Sequence, residues 1–142
     1  MRLTSFSDYS LRILMYAAAQ GERLITIEET AFAYGISRAH LMKVANLLTN
    51  AGFLRAVRGR SGGLVLARIP TEIRIGEVLR LTEPDFALVE CFGSGNGCRI
   101  TSRCRLKGIL HEALAAFLST IDRYTLADLM LGPEDFGIRP AA

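Results

Sequence analysis

Apolar residues recur at helical spacing in three successive blocks at the start of the chain, and capping residues bound each block. The first runs from about Ser7 to Gln20, with Ser5 or Ser7 as its cap and Leu11, Leu14, Met15 and Ala18 on one face. The second opens at Thr26, where Thr26 and Glu29 form a capping box, and closes near Tyr34-Gly35, where glycine suits a left-handed cap. The third starts at Ser37, buries Leu41, Val44, Leu47 and Leu48, and ends before Gly52. Two helices joined by so tight a turn predict a helix-turn-helix, with the second as recognition helix.

The period then shortens. Phe53 to Val57 and Leu64 to Ala67 read as two short strands around Arg58-Gly59-Arg60-Ser61-Gly62-Gly63, a hairpin with a basic tip, and Pro70 closes it. A short helix is expected from roughly Arg74 to Leu81. After a cysteine-bearing stretch, helical spacing returns from about Ser102 to Arg123, with Leu106, Leu110, Ala113, Phe117 and Ile121 as its stripe. Such a stripe is wide enough to pack on its own domain and on a partner helix. A last short helix, TLADLM, precedes Gly132-Pro133.

The expected fold is therefore mainly α: a winged helix-turn-helix DNA-binding domain with a small two-stranded wing, plus a long dimerisation helix. Residues 1–82 form the DNA-binding domain and 83–104 a cluster-binding loop. Residues 102–131 hold the dimerisation helix and final short helix, and 132–142 a C-terminal tail. Disorder is expected only around Arg139, Pro140, Ala141 and Ala142.

Composition adds the compartment and the partner. Half of the 142 residues are hydrophobic, enough for a core without disulfides. The N-terminus lacks a signal-peptide pattern and no stretch is long enough to span a bilayer, so a cytoplasmic protein without membrane contact is expected. The net charge of +3 conceals a window from Gly35 to Arg80 of +6, while the remainder sums to −3. Concentrated positive charge suits a phosphate backbone. In that window Ser37 is placed to meet a phosphate, Arg38 and His40 to reach base edges, and Lys43 lies on the same helix. Arg58 and Arg60 at the wing tip suit a phosphate or a narrow minor groove. The competing reading of the fold is a protein-interaction module. An enzyme is excluded by the want of a nucleophile–base pair or phosphate loop, and there are only two histidines.

The chemistry lies in CFGSGNGCRITSRC, Cys91 to Cys104, which holds all three cysteines. An odd count in a cytoplasmic chain argues against structural disulfides, and the spacing is neither a zinc ribbon nor a thioredoxin motif. Gly93, Gly95 and Gly97 make a poor core but a good wrapping loop. Arg99, Arg103, Arg105 and Lys107 offset the negative charge of a thiolate-bound metal cluster. Zinc with one added ligand fits this spacing less well. Three thiolates leave one position open, and Asp8, Glu90, His111 or an external ligand could fill it. Asp8 reads equally well as an acidic residue in a helix's first turn.

The stretches LTSFSDYSLR, GISRAHLMKV, VRGRSGG and IRIGEVLRLTEP, the three-cysteine loop and YTLADLM together resemble the winged-helix iron–sulfur transcriptional regulators. This is the family of IscR and RirA, and SFSDY, AVRGR-SGG and CRLK–YTLADL look most like its nitric-oxide-sensing repressors. The resemblance spans nearly the whole chain. It implies a homodimer on a near-palindromic double-stranded operator, with one cluster per subunit. It implies a 4Fe-4S cluster on Cys91, Cys98 and Cys104, with Asp8 of the partner subunit as fourth ligand. Members holding a 2Fe-2S cluster use a histidine three residues after the last cysteine, where this chain has Lys107. Regulation by iron or cluster status shares the same cysteine pattern and stands beside nitric oxide as the signal.

Overall fold

The computed structural model describes residues 1–137, and the expectation of disorder around Arg139 to Ala142 lies outside the described residues. The order is α1 (Ser5–Ala19), α2 (Ile27–Tyr34), α3 (Arg38–Asn50), β1 (Leu54–Val57), β2 (Gly63–Leu66), α4 (Ile75–Thr82) and α5 (Arg105–Ile121), with short 3-10 turns between and after them.

Helix α1 is the centre of the packed part, touching α3, α4 and β2. It starts earlier than the sequence predicts, and its cap is Thr4, whose hydroxyl accepts the Ser7 N–H at 3.2 Å. Ser7 is not available as a cap because it is buried, with its Oγ 2.7 Å from Thr82 Oγ1. The buried face is broader than the expected stripe: Ile13, Tyr16 and Ala17 join Leu14 and Ala18, while Leu11 and Met15 are half-buried. Contacts on several sides demand that width.

The helix-turn-helix follows from its caps. Thr26 Oγ1 accepts the Glu29 N–H at 3.1 Å, and Gly35 closes α2 at φ 64°, where a Cβ would be strained. The next cap, Ser37, accepts the His40 N–H at 3.4 Å and opens α3. Leu41, Val44 and Leu48 are fully buried, and Ala45 rather than Leu47 completes the face. The hairpin pairs β1 and β2 antiparallel, with Leu54 opposite Leu66 and Val57 opposite Gly63. A bridge from Ile25 to Leu64 ties the wing to the turn before α2, and a Cβ at Gly63 would press on the Ile25 carbonyl. A Cβ at Gly62 would collide with the Val57 carbonyl, so the wing tip needs glycine there.

Beyond α4 the chain leaves this body and later returns to it. The return is firm: the Leu126 N–H donates to the Ile73 carbonyl at 2.8 Å, and Leu126 is fully buried. TLADLM forms a 3-10 turn, Leu126–Leu129, with Thr125 and Asp128 as its capping box. Phe136, within the stretch read as a tail, sets its ring edge-on to Tyr16 at 5.3 Å and Tyr34 at 5.7 Å.

Between leaving and returning lies α5, which begins at Arg105 after a 3-10 turn over Thr101–Arg103 and has no buried residue. The expected stripe straddles two real ones. Leu110, Leu114, Phe117 and Ile121 are half-buried, whereas Leu106, Ile109, Ala113, Ala116 and Thr120 face outward in steps of three and four. Leu106 and Ile109 are 59% and 56% exposed. The helix is held at its C-terminal end, where Arg80 Nη2 donates to Asp122 Oδ2 at 2.8 Å and Arg74 Nη1 to the Asp122 carbonyl at 3.0 Å. Gly76 permits that approach, since a Cβ there would collide with the Asp122 carboxylate.

Candidate DNA-reading face and cysteine site

On α3 the residues left outside the core are Ala39, Met42, Lys43, Asn46 and Asn50, and Arg38 is exposed at the helix start. This outward row is the complement of the Leu41/Val44/Leu48 stripe. Met42 and Asn46 were absent from the sequence-predicted set, although the same periodicity identifies them. Ser37 is exposed, but its hydroxyl already caps α3. Arg38 pairs with Glu28 at 2.7 Å, both side chains well over half exposed, so water can compete for either partner.

His40 differs from expectation. Its imidazole lies edge-on to Tyr9 at 4.8 Å and tilted to Phe6 at 6.3 Å, half-buried on the α1 side rather than with the outward row. Position 40 sits one turn before Val44, on the flank that packs against α1.

The basic window divides in two. Arg38, Arg68, Arg74 and Arg80 are engaged within the chain, Arg68 by Glu77 and by the Phe53 ring, 4.1 Å from its guanidinium. Lys43, Arg55, Arg58 and Arg60 are exposed, and no carboxylate among the described residues pairs with them. They lie on the recognition helix, on β1 and at the wing tip.

The cysteine loop is built from short local bonds. The Asn96 side chain donates to Thr101 Oγ1 at 2.7 Å and accepts the Cys98 N–H at 3.0 Å, while Thr101 donates to the Cys98 carbonyl at 2.8 Å. The Gly97 N–H reaches Glu90 Oε1 at 3.3 Å. Cys91 lies in a 3-10 turn over Glu90–Phe92, and Cys104 stands at the N-cap of α5. There the unsatisfied N–H groups and the dipole of a 17-residue helix favour negative charge. Beside Cys91, Phe92 stacks on His111 with centroids 3.8 Å apart and planes 11° from parallel, which fastens the loop to α5. The ring of His111 is thus occupied as a packing surface.

All three thiols are free of disulfides, Cys98 exposed and the other two half-buried. They are not drawn together: among the described residues no three of His, Cys, Asp and Glu converge as a metal site. The donor chemistry nonetheless fits an iron–sulfur cluster, with three unpaired thiols on a glycine-containing loop among cationic neighbours. Asp8 lies apart, in the first turn of α1, where it takes both donors of the Arg12 fork at 3.0 and 2.8 Å.

One clamp ties α1 to the segment that feeds the loop. The Thr4 N–H and hydroxyl donate to Glu83 Oε1 at 2.8 and 3.0 Å. Burial pushes the Glu83 carboxyl up, but hydrogen bonds from Ser7 and Thr4 outweigh it and hold the group below the usual glutamate range.

A helix-turn-helix with a basic wing and a basic outward face on its second helix defines the molecule as a winged-helix DNA-binding regulator. The family model described as Rrf2, iron-dependent transcriptional regulator, matches residues 3–131. The chain belongs to the Rrf2 family of transcriptional regulators, which are not enzymes. It is 49% identical over 138 residues to the HTH-type transcriptional regulator NsrR of Bacillus subtilis, covering 95% of this chain and 94% of that one. It is 47% identical over 137 residues to the protein of the same name from Shouchella clausii, covering 95% and 92%. Among solved structures it superposes on CymR, the global cysteine regulator of B. subtilis, with a TM-score of 0.69 at 25% identity, covering 91% of this chain and 95% of that one. The fold is also that of T. potens IscR, with a TM-score of 0.71 at 22% identity and coverage of 91% and 85%.

Proposed function

We propose that this regulator is a cytoplasmic homodimeric repressor that senses nitric oxide through an iron–sulfur cluster. Cys91, Cys98 and Cys104 of one subunit and Asp8 of the partner subunit would hold the cluster. The observation that carries the reading is the triad of unpaired thiols on a loop that ends at the N-cap of an uncovered helix. No helix among the described residues is long and apolar enough to cross a membrane.

When bound, the cluster would supply iron that reacts with nitric oxide; the resemblance favours 4Fe-4S, since Lys107 stands where members holding 2Fe-2S use a histidine. The rest of the mechanism belongs to the chain. Helix α5 presents Leu106, Ile109, Ala113 and Ala116 to its counterpart and pairs the subunits. Ser37, Arg38, Lys43, Met42 and Asn46 lie along the major groove, and Arg58 and Arg60 take the backbone or minor groove beside it. Two recognition helices must enter grooves about 34 Å apart, so binding depends on the angle between subunits. Asp8 reaching across the dimer would fix that angle. Its neighbour Tyr9 packs on His40 of α3, so a shift of the α1 N-terminus is felt at the recognition helix. A coupling of about 1–3 kcal/mol between the two sites changes operator affinity several-fold to a hundredfold. Regulation by iron or cluster status through the same parts is the neighbouring reading.

Anaerobic purification with iron, sulfide and zinc analysis tests this reading. About four irons and four sulfides per chain are expected, lost on Cys98→Ser. A colourless zinc protein in which Cys98→Ser leaves operator binding intact would favour a zinc-stabilised protein-interaction module.

A further inference from the structure

The three cysteines are held by different devices. Cys98 is exposed, and the bonds around it close within the loop: Asn96 Oδ1 accepts its N–H at 3.0 Å, and Thr101 Oγ1 donates to its carbonyl at 2.8 Å. Cys104 belongs to α5 as its N-cap. Cys91 is linked to the same helix through its neighbour Phe92, whose ring lies face to face with that of His111. The turn that carries Cys91 is closed by the Phe92 N–H donating to the Val89 carbonyl at 3.0 Å and the Gly93 N–H to the Glu90 carbonyl at 3.2 Å. The backbone at Cys91 therefore follows the Phe92 ring. No hydrogen bond among the described residues joins 89–98 to α5, so packing makes the attachment, and the stacked rings are its one aromatic contact. Seven positions separate Cys104 from His111, which sets them on nearly the same face of α5, about 10 Å apart along its axis.

We propose that His111 is a positioning residue: through the Phe92 stack it holds the Cys91 turn against α5, on the face that bears Cys104. The inference rests on the three cysteines being ligands of the proposed cluster. Two of the three thiols then travel with α5, and only the Cys98 segment has to close onto them. Gly93, Gly95 and Gly97 lie between the two anchored ends and give that segment the freedom to close. Anchoring two ligands beforehand reduces the conformational freedom lost when the third engages. Because α5 is also the helix proposed to pair the subunits, the stack refers the Cys91 position to the dimer rather than to the loop alone. A small residue at position 111 would keep the helix but release Cys91.

The test compares His111→Ala, His111→Phe, Phe92→Leu and the His111→Ala/Phe92→Leu double variant with the parent as full-length proteins. The readouts are iodoacetamide labelling of each cysteine in reduced, iron-free protein, read by peptide mass spectrometry, and chelator-driven iron loss after anaerobic reconstitution. His111→Ala should speed labelling of Cys91 about two- to tenfold, the worth of one aromatic pair, and leave Cys98 and Cys104 at parent rates. Iron loss should quicken by a similar factor. His111→Phe, which keeps a planar ring, should restore both rates. Phe92→Leu leaves α5 untouched and should reproduce His111→Ala, with the double variant no worse than either single one. If Cys91 labels at the parent rate in His111→Ala, or if all three cysteines speed up together, the positioning role is refuted. Additive effects in the double variant would refute it as well, since the rings would then act separately. If the parent itself takes up no iron and sulfide, the cluster reading falls and this inference with it.

Discussion

Helices α1 and α5 are similar in length, and each carries ten hydrophobic residues, yet seven residues of α1 are buried and none of α5. The first is surrounded by its own chain; the second is tied to it by Asp122 at one end, by the Phe92–His111 stack towards the other and by a half-buried inner face between them. Equal apolar content with opposite burial separates the part that folds on its own core from the part proposed to assemble. In the proposed homodimer a helix with outward Leu106 and Ile109 would gain its burial from a second copy, and its stability would depend on protein concentration where that of α1 does not. The residues proposed to sense belong to both parts, with the cysteines at the foot of α5 and Asp8 on α1.

The contrast breaks most visibly in urea. Leu126→Ala or Leu41→Ala should cost about 2–5 kcal/mol, because both side chains are fully buried. Leu106→Ala should cost little in a sample dilute enough to be monomeric. A large loss there would mean that α5 is packed by its own chain after all. Ile109→Glu should leave helical content unchanged and produce monomers in sedimentation. Operator affinity should then fall by roughly ten- to a hundredfold as the paired half-sites lose their common geometry. Arg60→Ala and Arg58→Ala should each weaken operator binding several-fold and reduce the salt slope by about one, without altering dimerisation.

The smallest effect belongs to the clamp between the two parts. The Glu83 carboxyl is held below its ordinary value, so its contribution is present at neutral pH and lost as pH falls through the glutamate range, about 4.3 and below. Glu83→Gln should therefore lower stability by less than about 1 kcal/mol at neutral pH and flatten its acid dependence. Parallel pH curves for parent and variant would show that the clamp is inert.

The caps explain why so much of the packed part is legible in the residues. Thr26, Gly35 and Ser37 act within four positions of themselves, and Leu41, Val44 and Leu48 repeat at a helical period, so local rules suffice. What local rules miss depends on distant partners. Thr4 caps α1 instead of Ser7 because Thr82 claims the Ser7 hydroxyl from 75 residues away. His40 turns to Tyr9 for a similar reason, and Phe136 joins Tyr16 and Tyr34 from a stretch that reads as a tail. On α5 the sequence stripe mixed inward and outward positions because each face is apolar, one half-covered by its own chain and the other not. The cysteines, their glycines and the surrounding arginines were readable as a donor set. How three thiols would gather was not, because in the proposed function that geometry depends on a bound group and a second subunit rather than on neighbours in sequence.

Operator binding by anaerobically reconstituted protein, followed during titration with nitric oxide, is the most direct measurement. If the cluster and Asp8 set the angle between recognition helices, affinity should drop several-fold to a hundredfold as the cluster absorbance changes. In Asp8→Ala the nitric-oxide response should be largely lost. Affinity that ignores nitric oxide while tracking iron supply would contradict nitric-oxide sensing.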